Sequence, residues 1–343
     1  MKYSDAGVSI DRGNAFVERI KPIARTTFKK GMISGIGGFA GLYEIDTKRY
    51  KHPVIVTSTD GVGTKLKIAF SMGIHDTVGI DLVAMNVNDV IVNGATPEVF
   101  LDYIATSKLR LDIATDIIKG IANGCKQSDC VLIGGETAEL PGFYAEGEYD
   151  LAGFVIGVVE RDRIIDGSKI KHGDVLIGIG SNGLHSNGYS LARYVLLEKK
   201  KMKLNDYVDE LGCTLGEELL KPTIIYAKVI KKLVEKNLLR ACAHITGGGI
   251  IENLPRVLPH QYMAVVKTGS WIRPTIFEMI KYLGNVDDME MMRTFNNGIG
   301  MIVIVDKNAV KKALNIINAY NQTAYIIGEI KKTDKKGSRV EFI

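Results

Sequence analysis

Apolar and polar positions along the chain form short β-branched runs separated by stretches with apolar residues at three- and four-residue spacing. In the first half this pattern predicts a buried strand at Pro53–Thr59, a helix over Gly79–Asn93 and a strand at Val99–Thr106. A helix over Leu111–Gln127, a strand at Cys130–Ile133 and a long apolar strand from Tyr149 to Val159 follow. A glycine-rich arm precedes the first strand, and GGETAELPG, Gly134 to Gly142, reads as a loop. After Glu160 the stretch RDRIIDGSKIKHGD supplies turn residues and no packed face, so a boundary is expected there, dividing the chain into domains 1–165 and 166–343. The second half restarts the alternation with strands at Val175–Gly180, Tyr262–Thr268, Gly300–Val305 and Ala324–Ile330, and helices beginning near Ser186, Thr223, Pro274 and Asn308. Strands and helices alternate in both halves, which defines a layered α/β class.

Composition supports this and removes several functions. At 343 residues the chain exceeds what one core usually serves, and its 46% hydrophobic and 24% charged residues are those of a folded protein. The net charge of +5 comes from 44 basic and 39 acidic residues. The lysines are scattered, with the longest runs at Lys199–Lys201 and Lys331–Lys336, so nothing favours nucleic acid as a partner. No apolar run approaches the ~20 residues of a membrane span. Cys125, Cys130, Cys213 and Cys242 form no CxxC pair, and the chain opens without a signal-like segment, which gives a cytoplasmic location as the expectation.

Seven segments can carry chemistry. In VIVTSTDGVGTKL an aspartate and two glycines directly follow an apolar strand, where open α/β sheets bind ligands. Gly61 and Gly63 let backbone N–H groups approach phosphate, Thr64 can donate a hydroxyl, Lys65 offers a cation, and Asp60 can hold Mg²⁺. A tight turn with a solvated lysine is the other reading. The segment is not a Walker A loop, which needs GxxxxGK[ST]. GIGGFAG, Gly35 to Gly41, has no strand before it and so is no dinucleotide turn; it is either a phosphate-covering arm or a plain loop.

In GIDLVAMNVNDVIVNGATP, Asn86, Asp89 and Asn93 share one helix face. A carboxylate among apolar neighbours needs a metal, a cation or convergent donors. Asp81 reads as a hydrogen-bonded core aspartate and Asp89 as a metal ligand. Glu136, after strand and double glycine, adds a second strand-end carboxylate; oxygen ligands of this kind suit Mg²⁺, not zinc. Glu139 reads as a surface or helix-start residue. In the second half SNGLHSNGYSL places Ser186 and Asn187 as caps of an anion-binding helix start, with His185 able to donate to phosphate or move a proton. HITGGG, with Thr246, Gly247, Gly248 and Gly249, repeats the strand, glycine and helix-start construction. RTFNNGIGM is either a substrate wall or a hairpin entry.

Together YSDAGVSIDRGN, GIGGFAGLY, TDGVGTKL, GIDLVAMNVNDV, GGETAELPG, DLAGFVIG, HSNGYSL, HITGGGIIENLPRVLP and MMRTFNNGIGM resemble the phosphoribosylaminoimidazole synthetase family nearly end to end. The resemblance implies a two-domain α/β enzyme whose N-terminal sheet pairs in a homodimer. It implies ring closure of formylglycinamidine ribonucleotide, a phosphorylated substrate, at the expense of ATP. Lys21, Gly37, Gly38, Asp60 and Lys65 are then nucleotide candidates, Asp60, Asp89 and Glu136 the Mg²⁺ candidates, and Lys65, Asp89 and His185 the catalytic candidates. His185, Ser186, Asn187 and the Thr246 to Gly249 turn would face the ribose phosphate, and K⁺ is an optional further cation. A selenophosphate synthetase would carry a reactive cysteine in the arm, yet the first cysteine here is Cys125. A silent scaffold on the same fold would tolerate loss of the three carboxylates, all of which are present.

Overall fold

The computed structural model describes residues 6–334 and 339–343. Tyr3 to Asp5, which open the first family-like motif, and Lys335 and Lys336 of the basic stretch lie outside them. The chain divides into two compact units, Met1–Val90 with Ala95–Arg161, and Ile91–Gly94 with Asp162–Ile343.

The first unit runs α1 (Ile10–Arg25), β1 (Pro53–Gly61), α2 (Leu66–Met72), α3 (Asp76–Ile91, whose last residue groups with the second unit), β2 (Thr96–Thr106), α4 (Leu111–Ser128), β3 (Val131–Glu139) and β4 (Tyr149–Glu160). Its sheet has the order β1-β4-β2-β3, antiparallel except for the β2–β3 pair. β1 is therefore an edge strand and not the buried one expected: Pro53, Ile55, Thr57 and Thr59 are exposed, alternating with half-buried partners. A β-branched run satisfies a strand with one open face as readily as a buried one.

Two further elements depart from expectation. Within the presumed arm, α1 forms where Ser9 caps the helix by accepting from Arg12 N, and Phe16, Ile20 and Ala24 make a buried stripe at four-residue spacing. Gly13 and Pro22 had masked that period. GGETAE is strand, not loop, because β3 continues in parallel register along β2 from Leu101–Gly134 to Thr106–Glu139. Glu139 is no surface residue either. Its carboxylate, 6% exposed, accepts from Ser9 N, Leu109 N and Arg12 Nη1, tying α1 to the end of β3.

Glycines set the helix layer. A Cβ on Gly153 of β4 would stand 2.5 Å from Asn86 Nδ2, and one on Gly157 2.4 Å from Val90, so α3 lies directly on this inner face. α3 and α4 in turn cross backbone to backbone: a Cβ on Gly120 would stand 2.0 Å from the Asp76 carbonyl oxygen. The outer face stays open near β1, where Ile55 is 60% and Phe154 44% exposed. Farther along, Met32 and Tyr43 of the arm pack on Val99, Val131 and Ile133.

The second unit contains β5 (Val175–Gly180), α5 (Tyr189–Arg193), β6 (Tyr207–Val208), β7 (Cys213–Thr214), α6 (Leu215–Leu220), α7 (Ala227–Glu235), β8 (Leu239–His244), α8 (Gly249–Asn253) and β9 (Tyr262–Val266). It continues with α9 (Thr275–Gly284), α10 (Asp288–Thr294), β10 (Ile299–Val305), α11 (Val310–Ala319), β11 (Ala324–Lys332) and β12 (Val340–Phe342). The six-stranded sheet has the order β12-β9-β11-β5-β10-β8. Every residue of β10 is buried, which explains its unbroken apolar run GMIVIV. The core gathers Leu176, Ile250, Leu254, Ile302, Ile304 and Ile327.

The α3–α4 crossing gives a test with opposed signs. Helix propensity alone favours Gly120→Ala by up to about 1 kcal/mol. The close approach instead predicts destabilisation by about 2 kcal/mol or more, read from the midpoint of denaturant unfolding.

Candidate nucleotide, metal and phosphate sites

In the first unit β1 delivers DGVGTK to the end of the sheet. Asp60 closes on its own loop, its Oδ1 accepting from Gly61 N at 2.7 Å. Gly63 has φ +71, a left-handed conformation that favours glycine, and opens a short 3-10 turn through Lys65 into α2. Gly63 and Thr64 are exposed. Lys65 differs from the solvent-facing cation expected: it is fully buried and ion-paired with Asp81 Oδ2 at 2.8 Å. Burial pulls its pKa down, while the charge and hydrogen bond of Asp81 oppose that shift.

α3 supplies the rest. Asn86 Nδ2 donates to the Asp60 carbonyl at 3.2 Å and to Leu82 O at 2.8 Å, and Asn86 Oδ1 is a buried oxygen without a hydrogen-bond partner. Ser58 Oγ meets Asp89 Oδ2 at 3.4 Å. Ser58 and Asp60 lie on the same face of β1, two residues apart, so Asp89 lies against β1 one same-face position from Asp60. Asn93, the third residue of the sequence pattern, lies beyond the end of α3 and donates to Ile165 O.

Glu136 does not join the two aspartates within the chain. It pairs with Tyr103 across β2–β3, at the far edge of the sheet from β1, and alternation puts it on the outer face. No three His, Cys, Asp or Glu side chains form a ready cage among the described residues. Mg²⁺ bound with phosphates needs only one or two carboxylates, so Asp60 and Asp89, with the unsatisfied Asn86 oxygen nearby in sequence and space, fit that ion. In the arm, Lys21 lies against Gly37, whose φ is +117: a Cβ there would be 3.4 Å from the lysine Cε. Gly38 is exposed next to them. A cavity of about 430 Å³ in this unit lies elsewhere, under Tyr43, Arg49 and Tyr50, with Glu98 at its floor held by Tyr43 Oη at 2.7 Å and Lys29 Nζ at 2.9 Å.

In the second unit the two glycine turns meet. Asn187 Oδ1 accepts from Gly247 N at 2.9 Å, and Ser186 Oγ bonds Thr223 Oγ1 at 3.1 Å. Neither is the N-cap of α5, which begins at Tyr189 with Gly188 in that position. His185 is 1% exposed with φ +59, and Gly300 leaves room for it: a Cβ there would be 2.7 Å from its Cε1 and 2.1 Å from Tyr226 Oη. Two asparagines that the sequence did not single out, Asn253 and Asn296, hold these turns, and a third, Asn297, closes the end of α10. Asn253 Nδ2 donates to Thr246 O, Gly247 O and Gly249 O, Asn296 Nδ2 to Gly183 O and Leu184 O, and Asn297 Nδ2 to Met291 O and Phe295 O. The signal for Asn296 and Asn297 was their place beside glycine in FNNGIG; Asn253, inside IIENLP, had none of that kind.

Comparison with known proteins places this geometry. Residues 40–159 match the N-terminal domain, and residues 171–341 the C-terminal domain, of AIR synthase related proteins. The fold is shared with thiamine-monophosphate kinase from Stenotrophomonas maltophilia (TM-score 0.69, 16% identity, 94% of this chain and 95% of that one). It is shared also with the hydrogenase maturation protein HypE (TM-score 0.67, 17% identity, 92% and 87% covered). Curated phosphoribosylformylglycinamidine cyclo-ligases are far more similar. That of Caldanaerobacter subterraneus is 60% identical over 331 residues (96% of this chain, 97% of the relative), and that of Thermoanaerobacter sp. 58% over 334 (97% and 98%). The chain belongs to the phosphoribosylformylglycinamidine cyclo-ligase family, within the AIR synthase related proteins.

One further carboxyl is poised by its surroundings. Asp102 of β2 is 6% exposed, and a Cβ on neighbouring Gly135 would stand 2.4 Å from its Oδ1. Desolvation, aided by the charge of Glu136, pushes it up to about 7. A raised acid stabilises the fold fully below its unfolded pKa of about 3.9, and that contribution is lost as pH rises through about 7, because the unfolded chain ionises first. Asp102→Asn removes the loss. Its melting temperature relative to the parent should climb by on the order of 5 °C between about pH 5 and about pH 8, measured by calorimetry.

Proposed function

We propose that this chain closes the imidazole ring of 5-aminoimidazole ribonucleotide from formylglycinamidine ribonucleotide, using ATP and releasing ADP and phosphate. The observation that carries this reading is the clasp of β1 and α3, in which Asp89 meets Ser58 and Asn86 meets the Asp60 carbonyl, so that both aspartates lie where the strand gives way to a glycine turn. The family relatives bear the name of this activity, and solved structures of the same fold are described as complexes with ATP and with AMPPCP. Asp60 and Asp89 would hold Mg²⁺, which supplies charge neutralisation on the phosphates when bound. Backbone N–H groups of Gly61 and Gly63, the Thr64 hydroxyl, and Lys21 with Gly37 and Gly38 of the arm would cradle the nucleotide.

The formyl-derived oxygen of the substrate takes the γ-phosphoryl group and ADP leaves. The amidine nitrogen then attacks that activated carbon, forming the ring bond, and the C–O bond breaks to release phosphate. Positioning carries most of this chemistry. The ribose phosphate is assigned to the backbone of Thr246, Gly247, Gly248 and Gly249 with Ser186 and Asn187, joined by the Asn187–Gly247 bond. His185, held in its strained turn, is the proton-handling candidate there.

The open outer face of the first sheet is the surface proposed to pair in a homodimer, and Glu136 stands on that face. Ile55 and Phe154 offer apolar area that a single copy leaves to water. No helix among the described residues is long and apolar enough to cross a membrane.

Purified protein with Mg²⁺ and ATP should release ADP only when formylglycinamidine ribonucleotide is added; release unaffected by that substrate would sink the reading. Asp89→Asn should lower kcat by about 100-fold or more with an unchanged unfolding midpoint. Sedimentation should show a dimer for the parent, and Ile55→Asp with Phe154→Asp should shift it to monomer.

A further inference from the structure

The fate of Lys65 bears on how this site is built. Its ammonium and the Asp81 carboxylate form a 2.8 Å pair in which both side chains are 0% exposed. Asp81 precedes Asp89 on α3 by eight residues, about 12 Å along the helix axis. A lysine whose ammonium is fully buried against Asp81 is engaged two helical turns away from Asp89. Within the turn Asp60 Oδ1 accepts from Gly61 N. Gly63 and Thr64 are exposed, and a Cβ on Gly63 would meet nothing within 4 Å. The turn is anchored from its two ends, by Asn86 on the Asp60 carbonyl and by Asp81 on Lys65, and both anchors come from the helix that carries Asp89.

We infer that Lys65 is a positioning residue: its dry ion pair with Asp81 fastens the glycine turn to α3 and so sets the spacing of Asp60 from Asp89, without contacting phosphate. This rests on the reading of Asp60 and Asp89 as the metal carboxylates. The pair acts in the manner of outer-shell partners, whose loss costs metal sites about 10- to 100-fold in affinity. A buried pair is also the kind of interaction that a matched apolar pair can replace, whereas removing one member strands the other charge. A phosphate-binding lysine has no such replacement.

The test uses full-length protein, with Mn²⁺ and Mn²⁺·ADP as probes read by electron paramagnetic resonance, beside kcat and KM for ATP. Lys65→Met alone should weaken Mn²⁺·ADP binding by about tenfold or more. Adding Asp81→Val to it should restore both affinity and kcat to within about threefold of the parent. A folded double variant still down about 100-fold in kcat would overturn the inference, since Lys65 would then act on the phosphates themselves. Asp81→Asn keeps the lysine and a similar shape, and is the second handle should the double variant not fold. It should weaken Mn²⁺·ADP by about tenfold, and parent-like affinity would equally overturn the inference. Asp60→Asn separates this from the underlying reading: unchanged Mn²⁺ affinity in that variant removes the metal assignment, whatever the Lys65 series gives.

Discussion

The first unit depends on one steric constraint, the approach of α3 to a sheet and a helix at distances that leave no room for a Cβ. Gly153 and Gly157 of β4 admit α3 from one side, and Gly79 and Gly120 bring it against α4 on the other. A helix held this close to the sheet can bond the strands directly with short side chains. That is how Asn86 reaches the Asp60 carbonyl and Asp89 reaches Ser58. With larger residues at these glycines the helix would ride higher, and neither contact could form.

The same closeness explains why polar groups lie in an otherwise apolar layer. Asp81, Asn86 and Lys65 are fully buried, a costly arrangement unless each is matched. Lys65 and Asp81 match each other, and Asn86 spends its amide on two carbonyls. The second unit solves a related problem differently. Its glycine turns are irregular backbone close to a core, and their carbonyls are satisfied by Asn253 and Asn296, each reaching more than one carbonyl with one amide, while Asn297 does the same at the end of α10. Rigid turns of this kind present backbone N–H groups at the start of helices that run on from α5 as a π-helical segment, Tyr194–Lys199, and from α8 as a 3-10 turn, Leu254–Val257.

Much of this was legible in the sequence. Long apolar runs gave β4, β10 and most of β2, and the glycine-flanked motifs marked every turn now assigned a role, because turn chemistry is local. What stayed hidden was what neighbours decide. α1 was obscured by Gly13 and Pro22 inside its helical period, and its stability comes from packing and from Glu139 far along the chain. β3 ran on through a double glycine because β2 offered a ladder to pair with.

The sequence by itself determined the α/β class, the family and the residues gathered around DGVGTK, since these depend on periodicity and on motifs read in order. Tertiary structure alone decided which way each charge points. It put Lys65 inside against Asp81, Asp89 against Ser58 of β1, and Glu136 on the opposite face at the other edge of the sheet. The physical reason is that a side chain's partner is set by strand register and helix approach, which arise from contacts between segments far apart in the chain. DGVGTK reads alike whether its lysine faces a phosphate or a carboxylate; only the aspartate two helical turns ahead of Asp89 resolves it.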